Sequence, residues 1–248
     1  MDQHLRCGLE NINIETFQSA DALRKLNSRL DFALGNDTWI EDHSLIFGIL
    51  YYWDIYKCTQ LLVAHLPEQT RLDFEPVHHA DSESHRIYSE INTGDRWWDT
   101  QDLLPAAVMI VTVICACTKT HLTNFSGNQH AWPVCLTISN IRTDICRTPK
   151  KLPWIPVALI PWPPKVAKNN DETGHSAVRT VLSPLQNLDI TGPGLNWDCA
   201  DGFQRHCYSV LASWVGDYLD QVMVAQVSYG SFPMCEIPKG WPMGNPTC

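Results

Sequence analysis

A chain of 248 residues is long enough to bury a core of its own, and 44% hydrophobic with 18% charged residues excludes wholesale disorder. The net charge of −9 excludes a surface given over entirely to nucleic acid, because phosphate binding draws on clustered Lys and Arg. Ten cysteines at irregular spacing, behind a polar Met1–Glu10 that lacks the apolar run of a secretory signal, point to a reducing compartment rather than a disulfide scaffold.

Phe17, Ala20, Leu23, Leu26, Leu30 and Leu34 recur at helical spacing, with Ser19 or Asp21 as cap, and predict an amphipathic helix over 19–34. Leu45, Ile49, Trp53 and Tyr56 mark a second helical face over 43–64 that stops before Pro67. Both stripes read as core packing. From Arg71 to Asp99 the pattern turns polar; His78, His79 and His85 lie near Asp81 and Glu83 at no spacing that a zinc motif uses, so they read as loop histidines.

Beyond Pro105 the texture becomes β-rich. Val108–Cys117 is dominated by β-branched residues, Trp132–Ile138 alternates weakly, and Ile155–Ile160 is a short run ending at Pro161, which together predict three successive strands. The apolar run Leu103–Cys117 is broken by Pro105 and Thr112 and falls short of the roughly 20 residues of a membrane-spanning helix, so no membrane partner is expected. Pro161, Pro163 and Pro164 open a polar linker to about Gly174. A helix over 176–188, a strand over 195–199, a helix over 208–221 and a strand over 222–229 follow. The order β-β-β-α-β-α-β is that of an RNase H-like sheet. The expected fold is thus α+β or α/β, a partial RNase H-like mixed sheet with flanking helices, preceded by a helical N-terminal segment over 1–85.

Charge is uneven along this frame. Residues 1–100 hold 17 Asp and Glu against 8 Lys and Arg, whereas Arg142–Lys168 holds six basic side chains and only Asp144 as acid. That stretch reads equally as a place to meet phosphate and as a solvated connection. No P-loop, dinucleotide fingerprint, GxSxG elbow or HExxH helix is present. What remains is a scatter of acids at predicted strand ends, Asp198, Asp201 and Asp217, with Asp189 earlier. Carboxylates at the ends of adjacent strands are what a two-metal phosphoryl-transfer site requires, since the ions need hard oxygen ligands on both sides of the scissile phosphate. Turn geometry alone also favours Asp beside Gly.

Three blocks raise this pattern above turn chemistry: RIYSEINTGDRWWDTQDLLP (Arg86–Pro105), KTHLTNFSGNQHAWPVCLTISNI (Lys119–Ile141) and CADGFQRHCYSVLASWVGDYLDQVMVAQVSYGSFPMC (Cys199–Cys235). In this order they resemble Plavaka-type transposases, part of a larger fungal group with an RNase H-like core. The resemblance implies a core over 86–235, with 236–248 as a truncated tail. It also implies a three-acid site that binds Mg2+ or Mn2+, activates water and cuts or joins DNA by in-line displacement. DNA, and a full-length transposase, are then the expected partners, and the nucleus the expected location.

Carried over position by position, the resemblance is imperfect. The first acid falls on Thr118, where Ser-Asp-Lys-Thr has become Cys117, Thr118, Lys119, Thr120. A neutral hydroxyl cannot supply the anionic, bridging ligation that a metal pair wants. The second acid falls on Asp201, in Cys-Ala-Asp-Gly at the predicted end of the fourth strand, or on Asp217, whose block is altered from Asp-Tyr-Pro-Glu-Gln to Asp217, Tyr218, Leu219, Asp220, Gln221. Asp201 is preferred because it leaves room for the following helix, and Thr118 and Asp201 are expected to face each other across neighbouring strand ends. The third acid, a glutamate beyond the zinc knuckle, is expected to be missing. Of the knuckle itself, Cys-Pro-x-Cys, Phe232 replaces one cysteine and leaves Cys235 as a remnant ligand; Cys199, Cys207 and His206 are the substitutes on offer, or are buried packing. The expectation is a degenerate transposase fragment, catalytically inactive and retaining at most nucleic-acid or transposase binding; the alternative is a residual metal-dependent strand-transfer enzyme.

Overall fold

The apolar run after Pro105 builds the centre of the molecule. The computed structural model describes residues 39–45, 48–65, 72–118, 120–121, 130–146, 153–161, 170–186 and 189–225. Its strands are β1 (Ile40–Asp42), β2 (Leu50–Tyr52), β3 (His79–Ala80), β4 (Arg86–Ile87), β5 (Met109–Cys117), β6 (Thr120–His121), β7 (His130–Ile138), β8 (Ile155–Pro161), β9 (Leu195–Asp198) and β10 (Gln204–Val215). The helices are α1 (Ile55–His65), α2 (Asp95–Asp102), α3 (Thr143–Cys146), α4 (Asn170–Gln186) and α5 (Tyr218–Ala225), with a 3-10 turn at Ile91–Thr93. No described helix is long and apolar enough to cross a membrane.

Among the described residues eight strands form one sheet in the order β1-β2-β8-β7-β5-β10-β9, with β6 paired to β7. β5, β7 and β8 are antiparallel neighbours, whereas β10 runs parallel to β5 with Cys207 opposite Met109 and Val215 opposite Ala116. Three antiparallel strands, a helix, the short edge strand β9 and then β10, parallel to the first strand on its free edge, make this a mixed, RNase H-like sheet. Every residue of β5 is buried, as a near-continuous apolar run requires of a strand covered on both faces. One face carries Met109, Val111, Val113, Cys115 and Cys117 against Ile55, Cys58, Leu62 and Val63 of α1 and Ala177, Val178, Val181 and Leu185 of α4. Each such aliphatic side chain taken out of water contributes about 1.5–3 kcal/mol.

No disulfide joins the described cysteines. Burial pushes the thiols of Cys58 (α1), Cys115 (β5), Cys135 (β7) and Cys207 (β10) up to about 12, so they pack as small protonated hydrophobes.

Asn140, just past β7, ties the sheet to the segment before the β3–β4 hairpin. Its Nδ2 donates to the carbonyls of Ile110 (2.8 Å) and Asp73 (2.9 Å), and its Oδ1 accepts from the Thr112 amide (3.1 Å). The Asp73 amide donates to the Asn140 carbonyl at 2.7 Å, and Thr112 and Ser139 share a short hydroxyl contact alongside.

Three expectations are corrected. The helix expected over 43–64 is confined to Ile55–His65; ahead of it β1 and β2 pair as a hairpin, with Ile40 opposite Tyr52, and β2 joins the sheet beside β8. Gly48 breaks the helix, since at φ 148° it takes a backbone few other residues adopt, and a Cβ there would lie 2.8 Å from Pro161. β1, β2 and α1 therefore join the same sheet and core as the later strands. The stretch expected as a helix over 208–221 is strand β10 up to Val215, and the strand expected over 222–229 is helical in α5 as far as Ala225. Residues 226–229, like the helix expected over 19–34, lie outside the described residues.

Candidate functional site

Because β5 and β10 are parallel, their C-terminal ends emerge together. Val215 lies opposite Ala116, so the chain leaves β10 as Cys117 and the half-buried Thr118 leave β5. Open sheets gather ligand-binding groups beyond the C-terminal ends of parallel strands. Trp214 fastens the two strands at this point, its indole N–H donating to Cys117 Sγ at 3.2 Å.

The turn from β10 into α5 is short and closely held. Asp217 is the residue ahead of the helix, and its carbonyl accepts the first helical bond, from the Gln221 amide at 2.9 Å. Its Oδ1 accepts the Asp220 amide proton at 3.0 Å, while Asp220 Oδ2 accepts the Asp217 amide proton at 3.3 Å. This reciprocal exchange is a capping box built from two aspartates. Gln221 Nε2 closes the turn by donating to the Gly216 carbonyl at 2.8 Å. A Cβ on Gly216 would lie 2.7 Å from Asp220 Cβ and 3.4 Å from Cys117 Sγ, so only glycine lets the Asp220 side chain lie against the strand end.

The two carboxylates differ in surroundings. Asp217 is exposed, whereas Asp220 is 0% exposed and its Oδ1 makes no hydrogen bond of good geometry. Burial, and then the neighbouring Asp217 charge, push the Asp220 carboxyl up to about 7, against the opposing pull of the Asp217 amide and the Trp132 indole. Burial together with the facing Asp220 raises the Cys117 thiol as well.

Asp201 lies elsewhere. It occupies the β9–β10 turn, next to Gly202 at φ 82°, and forms a two-pronged pair with Arg205, 2.7 Å on each side. Those bonds hold its carboxyl below the usual range. Arg205 is in turn stacked over the Phe74 ring, 4.1 Å from its centre. This turn precedes β10, whose Cys207 faces Met109 at the start of β5. The nine residues of β5 separate it from Thr118, roughly 30 Å at 3.3 Å per residue. The expected meeting of Thr118 and Asp201 across strand ends does not occur: with 204–215 a strand rather than a helix, Asp201 stands at the opening end of the parallel pair.

Asp198 on edge strand β9 accepts from Gln204 at 3.2 Å, and Asp189 closes a turn with the Thr191 hydroxyl and amide. His206 directs its two ring nitrogens at Asn196 and the Pro193 carbonyl, and Cys199 and Cys207 are buried. His85 pairs with Asp81 at 3.1 Å, and the His78 ring lies tilted against Trp98 with ring centres 4.3 Å apart. Among the described residues no three His, Cys, Asp or Glu side chains come together in a way that could hold a metal ion. Phe232 and Cys235 lie outside the described residues, as do Arg147, Lys150, Lys151, Lys165 and Lys168 of the basic stretch.

The residue that sequence reasoning missed is Asp220. Its signal was present as Asp217-x-x-Asp220 ahead of an apolar run, the pattern of a helix start. Tyr208, Leu211, Val215 and Tyr218 concealed it, since their spacing also fits a helix running through the position.

A family model described as Plavaka transposase matches residues 42–244. No curated protein and no solved structure matches.

Proposed function

The chain belongs to the Plavaka transposase family, and from that premise we propose that it is a transposase core whose strand-transfer chemistry is lost, while binding to DNA or to an intact transposase is retained. Thr118 carries this reading. It follows β5 at the end where β10 delivers Asp217, the place for the first of two facing carboxylates, and it offers a neutral hydroxyl. Asp217, rather than Asp201, is then the second acid.

The divalent ions that the family implies would polarise the phosphate and generate the attacking hydroxide. The donors described here do not fit such a pair. They are one hydroxyl, one exposed carboxylate with an oxygen committed to a helix cap, and one buried carboxyl. The chain's own contribution is therefore a folded sheet that presents an acid without its partner. Binding at DNA termini in the nucleus follows from the family, with the Arg142–Lys168 stretch as the phosphate contact.

Supercoiled plasmid incubated with the purified chain and Mg2+ or Mn2+ should stay at the uncatalysed background. Robust nicking that disappears in Asp217→Asn would overturn the inactive reading in favour of a residual enzyme. DNA binding should weaken steeply as salt rises, and binding that is absent at low salt removes the retained function. Thr118→Asp should restore one ligand opposite Asp217 and make the melting temperature rise with added Mn2+ by a few degrees, about 1 kcal/mol of linkage. Adding Asp201→Ala should leave that response intact, and adding Asp217→Asn should abolish it; the reverse pattern would return the second acid to Asp201.

A further inference from the structure

We propose that Asp220 is a positioning residue, which holds the Asp217 carboxylate and its backbone in one orientation beside Thr118 at the ends of β5 and β10; this rests on the strand-end acid site argued above. The two residues grip each other twice, the Asp217 amide on Asp220 Oδ2 and Asp217 Oδ1 on the Asp220 amide. Gln221 holds the preceding carbonyl, that of Gly216. Together these contacts fix the backbone on both sides of the Asp217 Cα, and with it the rotamer of its side chain.

An ordinary helix cap explains less. A capping acid at the third helical position works from the surface, where its spare oxygen is hydrated. Asp220 instead lies fully buried, with Oδ1 lacking a good hydrogen bond, facing Cys117 of β5, Trp132 of β7 and the Gly216 backbone. Burying a carboxyl in that state costs stability that an exposed glutamate or glutamine would not. Glycine at 216 is the matching concession, because any Cβ would strike Asp220. Two unfavourable choices that serve one contact are expected where geometry matters more than stability.

The test separates holding from ligation and from simple capping. In the full chain, the Asp217 amide should exchange slowly with solvent. Asp220→Ala should speed that exchange about tenfold, whereas Asp220→Asn and Asp220→Glu, which keep an acceptor oxygen, should rescue it. If Asp220→Ala yields no folded protein, Gly216→Ala, which displaces Asp220 without removing it, should give the same faster exchange. In a Thr118→Asp background, Mn2+ affinity read from the paramagnetic resonance of free Mn2+ should fall about tenfold with Asp220→Ala and return with Asp220→Asn. An Asp217 amide that exchanges equally fast in wild type and Asp220→Ala overturns the proposal. So does loss of Mn2+ binding in Asp220→Asn as complete as in Asp220→Ala, which would make Asp220 a ligand. If Thr118→Asp binds no Mn2+ while the exchange pattern holds, the clamp stands and the strand-end metal site falls.

Discussion

Asn140→Ala should lower the stability of the fold by about 3–5 kcal/mol, the largest single effect expected outside the apolar core. The side chain is 0% exposed and serves three backbone groups at once, the Thr112 amide and the Ile110 and Asp73 carbonyls. Alanine removes every partner and leaves those groups without hydrogen bonds, each at a cost of about 1–3 kcal/mol before any water enters. Asn140→Asp should be as harmful, because it deletes the donors and buries a charge. Urea unfolding followed by tryptophan fluorescence measures the change; a loss under about 1 kcal/mol would mean that water takes over the bonds and that Asn140 is not the tie between 72–73 and the sheet.

Asp220→Asn should stabilise the protein, and the gain should depend on pH. In the fold the carboxyl is raised from 3.8 to about 7. Between these values the folded chain keeps the proton and the unfolded chain has released it, so folding takes up a proton. Stability from this group is therefore complete below about pH 4, declines as pH rises, and is lost above about pH 7. The asparagine variant has no such slope. Its advantage over wild type should grow from near zero at pH 4 to at most about 4 kcal/mol at pH 8, about 1.4 kcal/mol for each of three pH units before solvent screening, then level off. Denaturant midpoints at pH 5, 6, 7 and 8 decide the matter, and a difference that stays constant across the series would show that the carboxyl ionises freely in the fold.

How much of this was legible depended on whether one hydrophobic period stood alone. Val108–Cys117 and Ile155–Ile160 were readable as strands because β-branched runs of that length, bounded by Pro105 and Pro161, fit little else. Gln204–Val215 was not, because Tyr208, Leu211 and Val215 satisfy a helical spacing while its pairing with β5 lies about a hundred residues away in sequence. The same ambiguity turned Leu45, Ile49 and Trp53 into a helix, although Gly48 marked the break. That one misassigned strand also moved the candidate site. With a helix over 208–221, Asp201 sat at a strand's close and Asp217 inside a helix; with β10 in place Asp217 stands just past a strand's close and Asp201 in the turn ahead of that strand. Thr118 needed no fold to be noticed, since its block carried the substitution, but Asp220 became visible only once the turn at Gly216 was drawn.

The thiols at about 12 also give this protein a built-in clock. Cys58, Cys115, Cys135 and Cys207 sit on α1, β5, β7 and β10. Alkylation requires the thiolate, so a reagent at neutral pH should modify these four only during excursions that bring them into water. Where reaction outpaces reclosing, the labelling rate of each equals the opening rate of its own element. Mass spectrometry of partly alkylated chains would then show whether helix and strands open as one body or whether β10, which leads into Asp217, comes away from the sheet first.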